Sequence, residues 1–358
     1  MGKIKTAIIG YGRSGRNIHT NLLKQLPDLF ELVTYVDGDA DRREMIKREM
    51  NLPVHADVSA LYGQKIDLAV NSSFSKDHVR ISRDLLEHGI NVLCEKPVAK
   101  DAADFQTVLD TAKKTGKKFY AFQQYRFSPG FVKIREILAS GVLGRMVAMN
   151  IQCDGFDRRW DWQTVHEWAA GVLLNKGPHY LDWALCLMGF PADVEVFASF
   201  DRANYPASGE DYAKLILRAP NAPTADLQFS ACNAYAADDF HIHCTRGTLR
   251  GNETSLKWKY YKPDEAPPIK LDTSPIKNEK GEPVYCREKL NFYEEEWKVN
   301  PGDQTPQQYQ FNEKGLTYYR KLYSNLINGE DFPVKNEQVL LQMKVIGEAH
   351  AQNRKLFV

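Results

Sequence analysis

Three glycines near the start of the chain have the spacing of a phosphate-binding turn. Gly10, Gly12 and Gly15 form G-x-G-x-x-G between an apolar run and a helical pattern. The first permits a tight bend, the second lets a pyrophosphate approach the backbone, and the third lets helix and strand pack closely. A second predicted strand, 31–36, ends in Asp37, where a carboxylate can bond both ribose hydroxyls. The pattern predicts a dinucleotide site, and an ordinary glycine-rich β–α turn is the alternative.

The residues around Asp37 bear on which dinucleotide would bind. A carboxylate at this place repels a 2′-phosphate and therefore favours NAD. Arg42 and Arg43 follow about a turn later and could accommodate that phosphate, so NADP stays an alternative.

Strand and helix patterns alternate over the first third of the chain. Helices between successive strands imply a parallel sheet with right-handed crossovers, so residues 1–122 are predicted to form a doubly wound Rossmann domain. The predicted strands are 4–9, 31–36, 53–56, 66–71, 90–94 and 118–122, and the predicted helices are 39–50, 76–88 and 101–115.

Residues 123–358 follow a different pattern and are predicted to form a second domain. Long strands in succession indicate an open, mostly antiparallel sheet with helices on one face, which makes the fold class α/β followed by α+β. Residues 262–287 are rich in Pro, Lys, Glu and Asp, and we expect a long exposed loop there. The predicted strands are 147–153, 193–200, 212–218, 225–232 and 239–245, and the helices are 128–139, 171–188 and 336–355.

Bulk composition limits the classes of partner. The 358 residues suggest two domains, and a formal net charge of +1 gives no electrostatic case for nucleic acid or a membrane surface. No apolar run approaches transmembrane length, and the short apolar opening is typical of a strand rather than a signal peptide. Six scattered cysteines without a C-x-x-C pair indicate reduced thiols and a cytoplasmic location.

Four segments carry a resemblance to a known family. Glu95-Lys96-Pro97 after a strand, the segment QYRFSP at 124–129, the turn GVLG at 141–144 and AGVLLNKGPHYLD at 170–182 resemble the Gfo/Idh/MocA family of sugar and polyol oxidoreductases. The likeness covers the whole chain, close to about residue 190 and loose beyond. It implies a Rossmann domain and a substrate-binding α/β domain whose open sheet forms homodimers or homotetramers. It also implies hydride transfer between nicotinamide C4 and a hydroxyl-bearing carbon.

The same resemblance assigns the cofactor site. Lys96 is expected beside the nicotinamide, where it reaches the substrate hydroxyl, and the peptide before Pro97 is expected to be cis. A surface lysine at a strand end is the alternative for Lys96. The expected cofactor-binding residues are Gly10, Tyr11, Gly12, Arg13, Ser14, Gly15, Asp37, Ser72, Glu95 and Lys96.

His179 is the candidate acid/base. Oxidation of an alcohol needs a proton acceptor while hydride leaves, and an imidazole suits that task. On one helix Asn175, His179 and Asp182 share a face and form the predicted catalytic group with Lys96; a helix-packing histidine is the alternative.

Asn175 and Asp182 define how His179 could be assisted. Asn175 replaces the acid usual in the resembled family, although asparagine occurs there in some sugar-nucleotide branches. An amide can orient an imidazole or bond a hydroxyl but cannot stabilise an imidazolium by charge. Asp182 either orients His179 or pairs with a neighbouring basic residue.

A tryptophan- and arginine-rich stretch is the candidate substrate site. Aromatic faces and forked guanidinium donors suit a carbohydrate-like ligand, whereas a surface loop packed on the sheet is the alternative. The candidate substrate residues are Arg126, Arg158, Trp160 and Trp162.

No metal site is expected from the sequence. His241 and His243 alternate on one strand face and could chelate an ion, but no third ligand stands nearby in the sequence. Histidines of the core or of a sheet edge are the better interpretation.

Three functions remain open at this level. The first is an NAD(P)-dependent dehydrogenase acting on CH–OH groups of a sugar, a polyol or a derivative. The second is a non-catalytic dinucleotide-binding sensor on the same fold, which Asn175 favours and Lys96 with His179 disfavours. The third is a glycosidase that uses NAD⁺ for transient oxidation.

Overall fold

A six-stranded parallel sheet forms the first half of the computed structural model, which describes residues 2–357. Its spatial order is β3-β2-β1-β4-β5-β6, so the direction of winding reverses between β1 and β4. Ligands of such sheets bind beyond the carboxyl ends of the strands at this reversal. The doubly wound fold is thus confirmed. The strands are β1 (Ile4–Ile9), β2 (Phe30–Val36), β3 (Val54–His55), β4 (Leu68–Asn71), β5 (Asn91–Cys94) and β6 (Phe119–Ala121).

Helices cover both faces of this sheet. A π-helical stretch, Ser14–Thr20, leads into the short α1 after the glycine turn. Helix α2 begins where the Asp39 carboxylate accepts the N–H groups of Asp41 and Arg42. The helices are α1 (Asn21–Lys24), α2 (Ala40–Met50), α3 (His78–Glu87) and α4 (Ala102–Thr115), with 3₁₀ turns at Val58–Leu61, Ser75–Asp77 and Gln124–Phe127.

The second sheet has eight strands in the order β14-β13-β12-β11-β7-β10-β9-β8. Only β7 and β10 pair in parallel, which confirms the mostly antiparallel prediction. The strands are β7 (Met146–Asp154), β8 (Glu195–Asp201), β9 (Tyr212–Arg218), β10 (Thr224–Ser230), β11 (Phe240–Cys244), β12 (Gly247–Gly251), β13 (Ser255–Tyr261) and β14 (Phe292–Lys298).

Sequence reasoning missed β12, β13 and β14. Glycines bound β12, and β14 reads FYEEEWK, with three consecutive acids in place of an apolar alternation. Lys257 and Lys259 of β13 stand opposite Glu296 and Glu294 of β14, so cross-strand charge pairing supports this edge. The connection between β13 and β14 is largely exposed, as expected for 262–287.

Helices of the second half pack on one face of this sheet and return to the first domain. The expected single helix 171–188 is interrupted at Lys176, because Pro178 has no N–H to continue the ladder. No helix was predicted at 306–328, where the longest one lies. The helices are α5 (Pro129–Ala139), α6 (Val172–Asn175), α7 (Gly177–Met188), α8 (Pro306–Asn328) and α9 (Asn336–Gln352), with 3₁₀ turns at Trp162–Thr164, His166–Trp168, Pro263–Glu265 and Arg354–Phe357.

Helix α8 joins the two halves. A buried contact of 2.7 Å links the Tyr319 hydroxyl to Nδ1 of His19 in the helix after the glycine turn. Tyr319 and Tyr323 also pack edge-on against Phe30 of β2. The boundary at residue 122 stays a prediction, since apolar side chains of both halves form one continuous core. Within residues 2–357, no helix has both the length and the apolar character to cross a membrane.

Candidate active site

A cavity of about 690 Å³ opens at the carboxyl ends of the parallel strands, between the glycine turn and the loop before α6. It is large enough for a dinucleotide-sized ligand. Its first-domain walls combine polar and apolar side chains, and the second domain contributes one aromatic ring, that of Trp162. Of the expected cofactor residues, those that line it are Gly10, Gly12, Arg13, Ser14, Asp37, Ser72, Glu95 and Lys96.

The glycine turn is shaped as its spacing predicts. Gly10 has a φ of 86°, and a Cβ there would strike the Ser72 carbonyl. A Cβ at Gly15 would strike the carbonyl of Gly10, whereas one at Gly12 would meet only Arg42 Nη1, 3.8 Å away. The Ser72 hydroxyl donates to the carbonyls of Ile9 (2.8 Å) and Gly10 (2.9 Å) and holds the turn in place. The open side at Gly12 fits a pyrophosphate against the backbone.

Asp37 is held by backbone donors at the cavity wall. The N–H of Tyr11 donates to Oδ2 (2.7 Å) and that of Asp39 to Oδ1 (2.9 Å). Arg42 Nη1 lies 3.8 Å from Oδ2, and Arg42 also lines the cavity. Arg43 instead donates to the carbonyls of Asp37 and Gly38. Tyr11 lies outside the cavity lining, with its hydroxyl bonded to a surface glutamate, and contributes through its N–H.

Lys96 and Asn175 meet at the end of the cavity next to the second domain. Nζ of Lys96 donates to the Asn175 backbone carbonyl (2.6 Å) and to its Oδ1 (3.2 Å). The Lys96–Pro97 peptide is cis, as expected. Burial lowers the pKa of the Lys96 ammonium, although the charge of Glu95 opposes this. Asn175 therefore holds a partly buried ammonium at the cavity wall.

Glu95 is the carboxylate beneath this lysine. Its Oε2 accepts the N–H of Lys96 (3.0 Å), and Oε1 lies 3.1 Å from Nε2 of His19. Burial raises the pKa of Glu95, but His19 and the charge of Lys96 outweigh it and bring that pKa to about 2. Glu95 thus supplies a fixed negative charge near the ammonium.

His179 does not line the cavity, although the charge of Lys96 acts on its imidazole. Its ring stacks on Tyr125 with centroids 4.0 Å apart, and its buried Nδ1 has no hydrogen-bond partner in the described chain. Burial, then the charges of Lys96 and Lys314, lower the pKa of His179 well below its usual value. The imidazole is therefore neutral near pH 7 and can accept a proton.

Lys314 was missed in the sequence. This buried side chain of α8 places its Nζ 3.3 Å from the centroid of Tyr125, the ring that stacks on His179. It pairs with Glu253 at 3.1 Å. A lysine within a helix that the sequence did not predict carries no pattern that would have identified it.

Arg126 departs from its expected role, and Asp182 takes the second of the two roles expected for it. The Arg126 guanidinium forms a bidentate pair with Asp182 and donates to the Pro333 carbonyl (2.9 Å). Both residues are buried and neither lines the cavity. Arg126 is therefore not placed to contact substrate, and the Asp182 carboxylate pairs with a basic residue rather than orienting His179.

One aromatic side chain of the tryptophan-rich loop lines the cavity. Trp162 lines it and packs edge-on against Phe74 with centroids 5.3 Å apart. Trp160 is 86% exposed and Arg158 is also exposed, so neither lies where it was expected. Arg159, paired with Asp161 at 2.6 Å, lines the cavity instead.

Gln163, in the same loop, was also missed. It lines the cavity, and its Nε2 lies 3.4 Å from Asn175 Oδ1. Because the loop has no regular period, the sequence could not show which side chains turn inward.

Comparison with known proteins adds the family. Residues 4–123 match the model described as "Oxidoreductase family, NAD-binding Rossmann fold", and residues 131–250 match the "GFO/IDH/MocA C-terminal domain". Among curated relatives, the chain is 30% identical to D-glucoside 3-dehydrogenase of Escherichia coli over 54% of this chain and 57% of that one. It is 23% identical to the scyllo-inositol 2-dehydrogenase (NADP(+)) IolW of Bacillus subtilis over 98% of this chain and 94% of that one. Two further relatives are matched over only 60% and 54% of their own length.

A solved structure agrees with the fold. The WlbA dehydrogenase from Bordetella pertussis, in complex with NADH and UDP-GlcNAcA, superimposes with a TM-score of 0.77 at 17% identity, covering 99% of this chain and 96% of that one. Both domains of one family are thus matched in their order along the chain. With the glycine turn, the Glu95-Lys96-Pro97 segment and the two sheets, this shows that the chain belongs to the Gfo/Idh/MocA oxidoreductase family.

Proposed function

We propose that the protein is an NAD(P)-dependent oxidoreductase that transfers a hydride between a nicotinamide cofactor and a hydroxyl-bearing carbon of a sugar, a polyol or a sugar derivative. One observation carries the proposal: the Lys96 ammonium, held by Asn175, lines the same cavity as the glycine turn and Asp37. A cofactor lying along that cavity would bring its reactive end to Lys96 and the neighbouring His179.

NAD is the proposed cofactor, with NADP as the alternative. The Asp37 carboxylate at the wall suits two ribose hydroxyls and opposes a 2′-phosphate. The guanidinium of Arg42 beside it is 38% exposed and would offset part of that repulsion. The preference therefore rests on the balance between these two side chains.

In this reaction the side chains of the protein accept a proton and position the reacting groups. When bound, the nicotinamide accepts or returns the hydride. Lys96 donates a hydrogen bond to the reacting oxygen and stabilises its developing negative charge. The neutral imidazole of His179 accepts the hydroxyl proton as the C–H hydride leaves. Asn175 keeps the lysine in place by binding its ammonium through two oxygens.

A polar ring is the proposed substrate. Trp162 offers an aromatic ring, and Arg159 and Gln163 offer donors in the same cavity. The names of the relatives, a glucoside dehydrogenase and an inositol dehydrogenase, fit a polyhydroxylated ring. The sugar nucleotide in the WlbA structure fits that class as well.

We also propose that the protein forms a homodimer or homotetramer through the open face of its second sheet. Phe197 of β8, which points away from the helices, is 63% exposed there. Light scattering would test this, and a monomer at micromolar concentration would contradict it.

The test of function is absorbance of the reduced nicotinamide while protein and NAD⁺ or NADP⁺ meet a panel of sugars, inositols, sugar acids and sugar nucleotides. We expect growth of that band with one class. Cofactor binding without turnover on the whole panel would favour the sensor, and glycoside cleavage without net NADH would favour the hydrolase.

Two variants test the catalytic roles proposed for Lys96 and His179. Lys96→Ala and His179→Ala should each lower turnover at least about a hundredfold while cofactor affinity, measured by calorimetry, changes little. Lys113→Ala, an exposed lysine of α4, is the matched control and should behave as wild type. Wild-type turnover in both test variants would contradict the assigned roles.

A further inference from the structure

Three of the eight buried side-chain polar atoms that have no hydrogen-bond partner within residues 2–357 lie close together. They are Nδ1 of His166, Oε2 of Glu210 and Nε2 of His350. The three side chains each offer a ligand atom within 4.8 Å of the other two. Oε2 of Glu210 lies 3.9 Å from Nε2 of His350, too far for a hydrogen bond. Unpartnered buried polar atoms are costly, so their convergence requires an explanation.

Three separate elements bring these side chains together. His166 lies in the loop that carries Trp162, Glu210 lies two residues before the start of β9, and His350 belongs to α9. His241 and His243, which alternate along β11, are exposed and do not belong to this cluster.

Neighbouring groups hold the cluster side chains in orientations suited to a ligand. Nδ1 of His350 lies 2.9 Å from the Ile346 carbonyl, and donation there leaves the Nε2 lone pair free. The Glu210 Oε1 accepts the N–H of Leu173 (2.9 Å), which leaves Oε2 free. The ring of His166 stacks on Phe357 with centroids 4.1 Å apart. Each side chain is thus fixed on one side and unpartnered on the other.

The donor set matches a divalent transition metal. Two imidazoles and a carboxylate are common ligands of Zn²⁺, and the bond lengths of about 2.0–2.2 Å place ligand atoms roughly 3.4 Å apart in a tetrahedron. Modest side-chain rotation would reach this spacing from the observed one.

Nearby charged residues both oppose and favour a cation at this cluster. The charge of Lys100 acts on both histidines and opposes a cation, and Glu167 acts on His166 in the opposite sense.

We propose that His166, Glu210 and His350 bind one zinc-type divalent ion, with water in the fourth position. The ion would connect α9 to the loop of Trp162 and, through Glu210, to the first turn of α6. The backbone of Glu210 also accepts the N–H of Val172 (2.8 Å), so this site would stabilise the segment that presents Asn175 to Lys96. Its role is structural, and it is independent of which substrate the cavity takes.

The experiment is metal uptake by full-length protein stripped with a chelator. After addition of Zn²⁺ and gel filtration, we expect about one equivalent per chain, and Co²⁺ should give the visible absorption of a four-coordinate site. Glu210→Gln, nearly isosteric, and His350→Ala should each weaken Zn²⁺ binding at least about a hundredfold, since even outer-shell changes cost 10–100-fold.

His241→Ala is the matched control and should bind Zn²⁺ as wild type does. Circular dichroism and NAD⁺ binding establish that each variant is folded. If His350→Ala does not fold, Glu210→Gln alone tests the proposal. No Zn²⁺ retained by wild type, unchanged uptake in folded Glu210→Gln, or loss only in His241→Ala would each overturn the proposal.

Discussion

The Lys96 ammonium depends on Asn175 for its position. A carboxylate at 175 would form an ion pair with the lysine and hold its pKa high, whereas the amide and the backbone carbonyl bind it without adding charge. The pKa of Lys96, lowered by burial, is consistent with a lysine that is free to act at the substrate oxygen. Asparagine at this position is therefore compatible with the proposed chemistry.

The selectivity between NAD and NADP should depend on one acid and one base. Asp37→Ala should weaken NADH binding more than NADPH binding, because it removes the ribose acceptor and the charge that repels a 2′-phosphate. Arg42→Ala should have the opposite effect on the ratio, because it removes the guanidinium beside that phosphate. Dissociation constants from nicotinamide fluorescence measure both. An unchanged ratio in Asp37→Ala would remove Asp37 from the ribose site.

Lys314 is a positioning residue whose charge should appear in the pH profile. Its positive charge lowers the pKa of His179, so activity should persist at mildly acidic pH and fall only when the imidazole gains a proton. Lys314→Met with Glu253→Gln removes the pair without leaving a buried charge. The pKa of His179 should then rise, and the acid limb of kcat/KM should move to higher pH.

The control for this shift lies on the same helix. Lys321→Met, at an exposed position of α8, should leave the pH profile unchanged. If Lys314→Met with Glu253→Gln kept the acid limb of the wild-type kcat/KM profile, the electrostatic role would be contradicted. Lys314 would then act only through packing.

At the scale of elements, helix α8 is adapted to its contact with α1. Gly315 lies in its middle, where a Cβ would come within 2.5 Å of Leu22 Cδ1. Glycine costs about 1 kcal/mol of helix propensity relative to alanine, so its presence is explained by this close approach.

Two glycine-to-alanine changes test this contact. Gly347→Ala in α9, where a Cβ would meet no described atom within 4 Å, should stabilise the protein by about 0.5–1 kcal/mol. Gly315→Ala should destabilise it by roughly 0.5–2 kcal/mol, because overpacking against the buried Leu22 outweighs the propensity gain. Urea unfolding measures both. Equal stabilisation by the two changes would contradict the packing argument.

At the scale of the molecule, the Arg126–Asp182 pair links three parts of the chain. It joins the turn after β6 to α7, and Arg126 also reaches Gln338 of α9 at 2.6 Å. The buried pair fixes α7 relative to the turn that follows β6. Its role is therefore architectural, although both residues lie within segments that resemble the family.

Removing one charge of this pair should strongly destabilise the protein. Asp182→Asn leaves a buried guanidinium without its counter-charge and should lower the free energy of unfolding by about 3–5 kcal/mol. Arg126→Met combined with Asp182→Leu should recover much of this loss, since neither charge remains buried. Denaturant unfolding of the three proteins tests the prediction, and a double variant no more stable than Asp182→Asn would contradict it.

The sequence by itself determined the features that depend on local pattern. The glycine spacing, the acid ending β2, the Glu95-Lys96-Pro97 segment and the period of most strands were all predicted, and the structure and the family match confirm the fold. Each of these is readable because neighbouring residues along the chain encode it. Element bounds differed by only a few residues for the same reason.

Only the tertiary structure decided which side chains meet. Asp182 turned to Arg126 rather than to His179, Trp162 rather than Trp160 reached the cavity, and Lys314 arrived from an unpredicted helix. The His166, Glu210 and His350 cluster draws on three distant segments. Such contacts depend on how elements pack, because side chains far apart in sequence become neighbours only when apolar faces bury each other. No local pattern records that outcome.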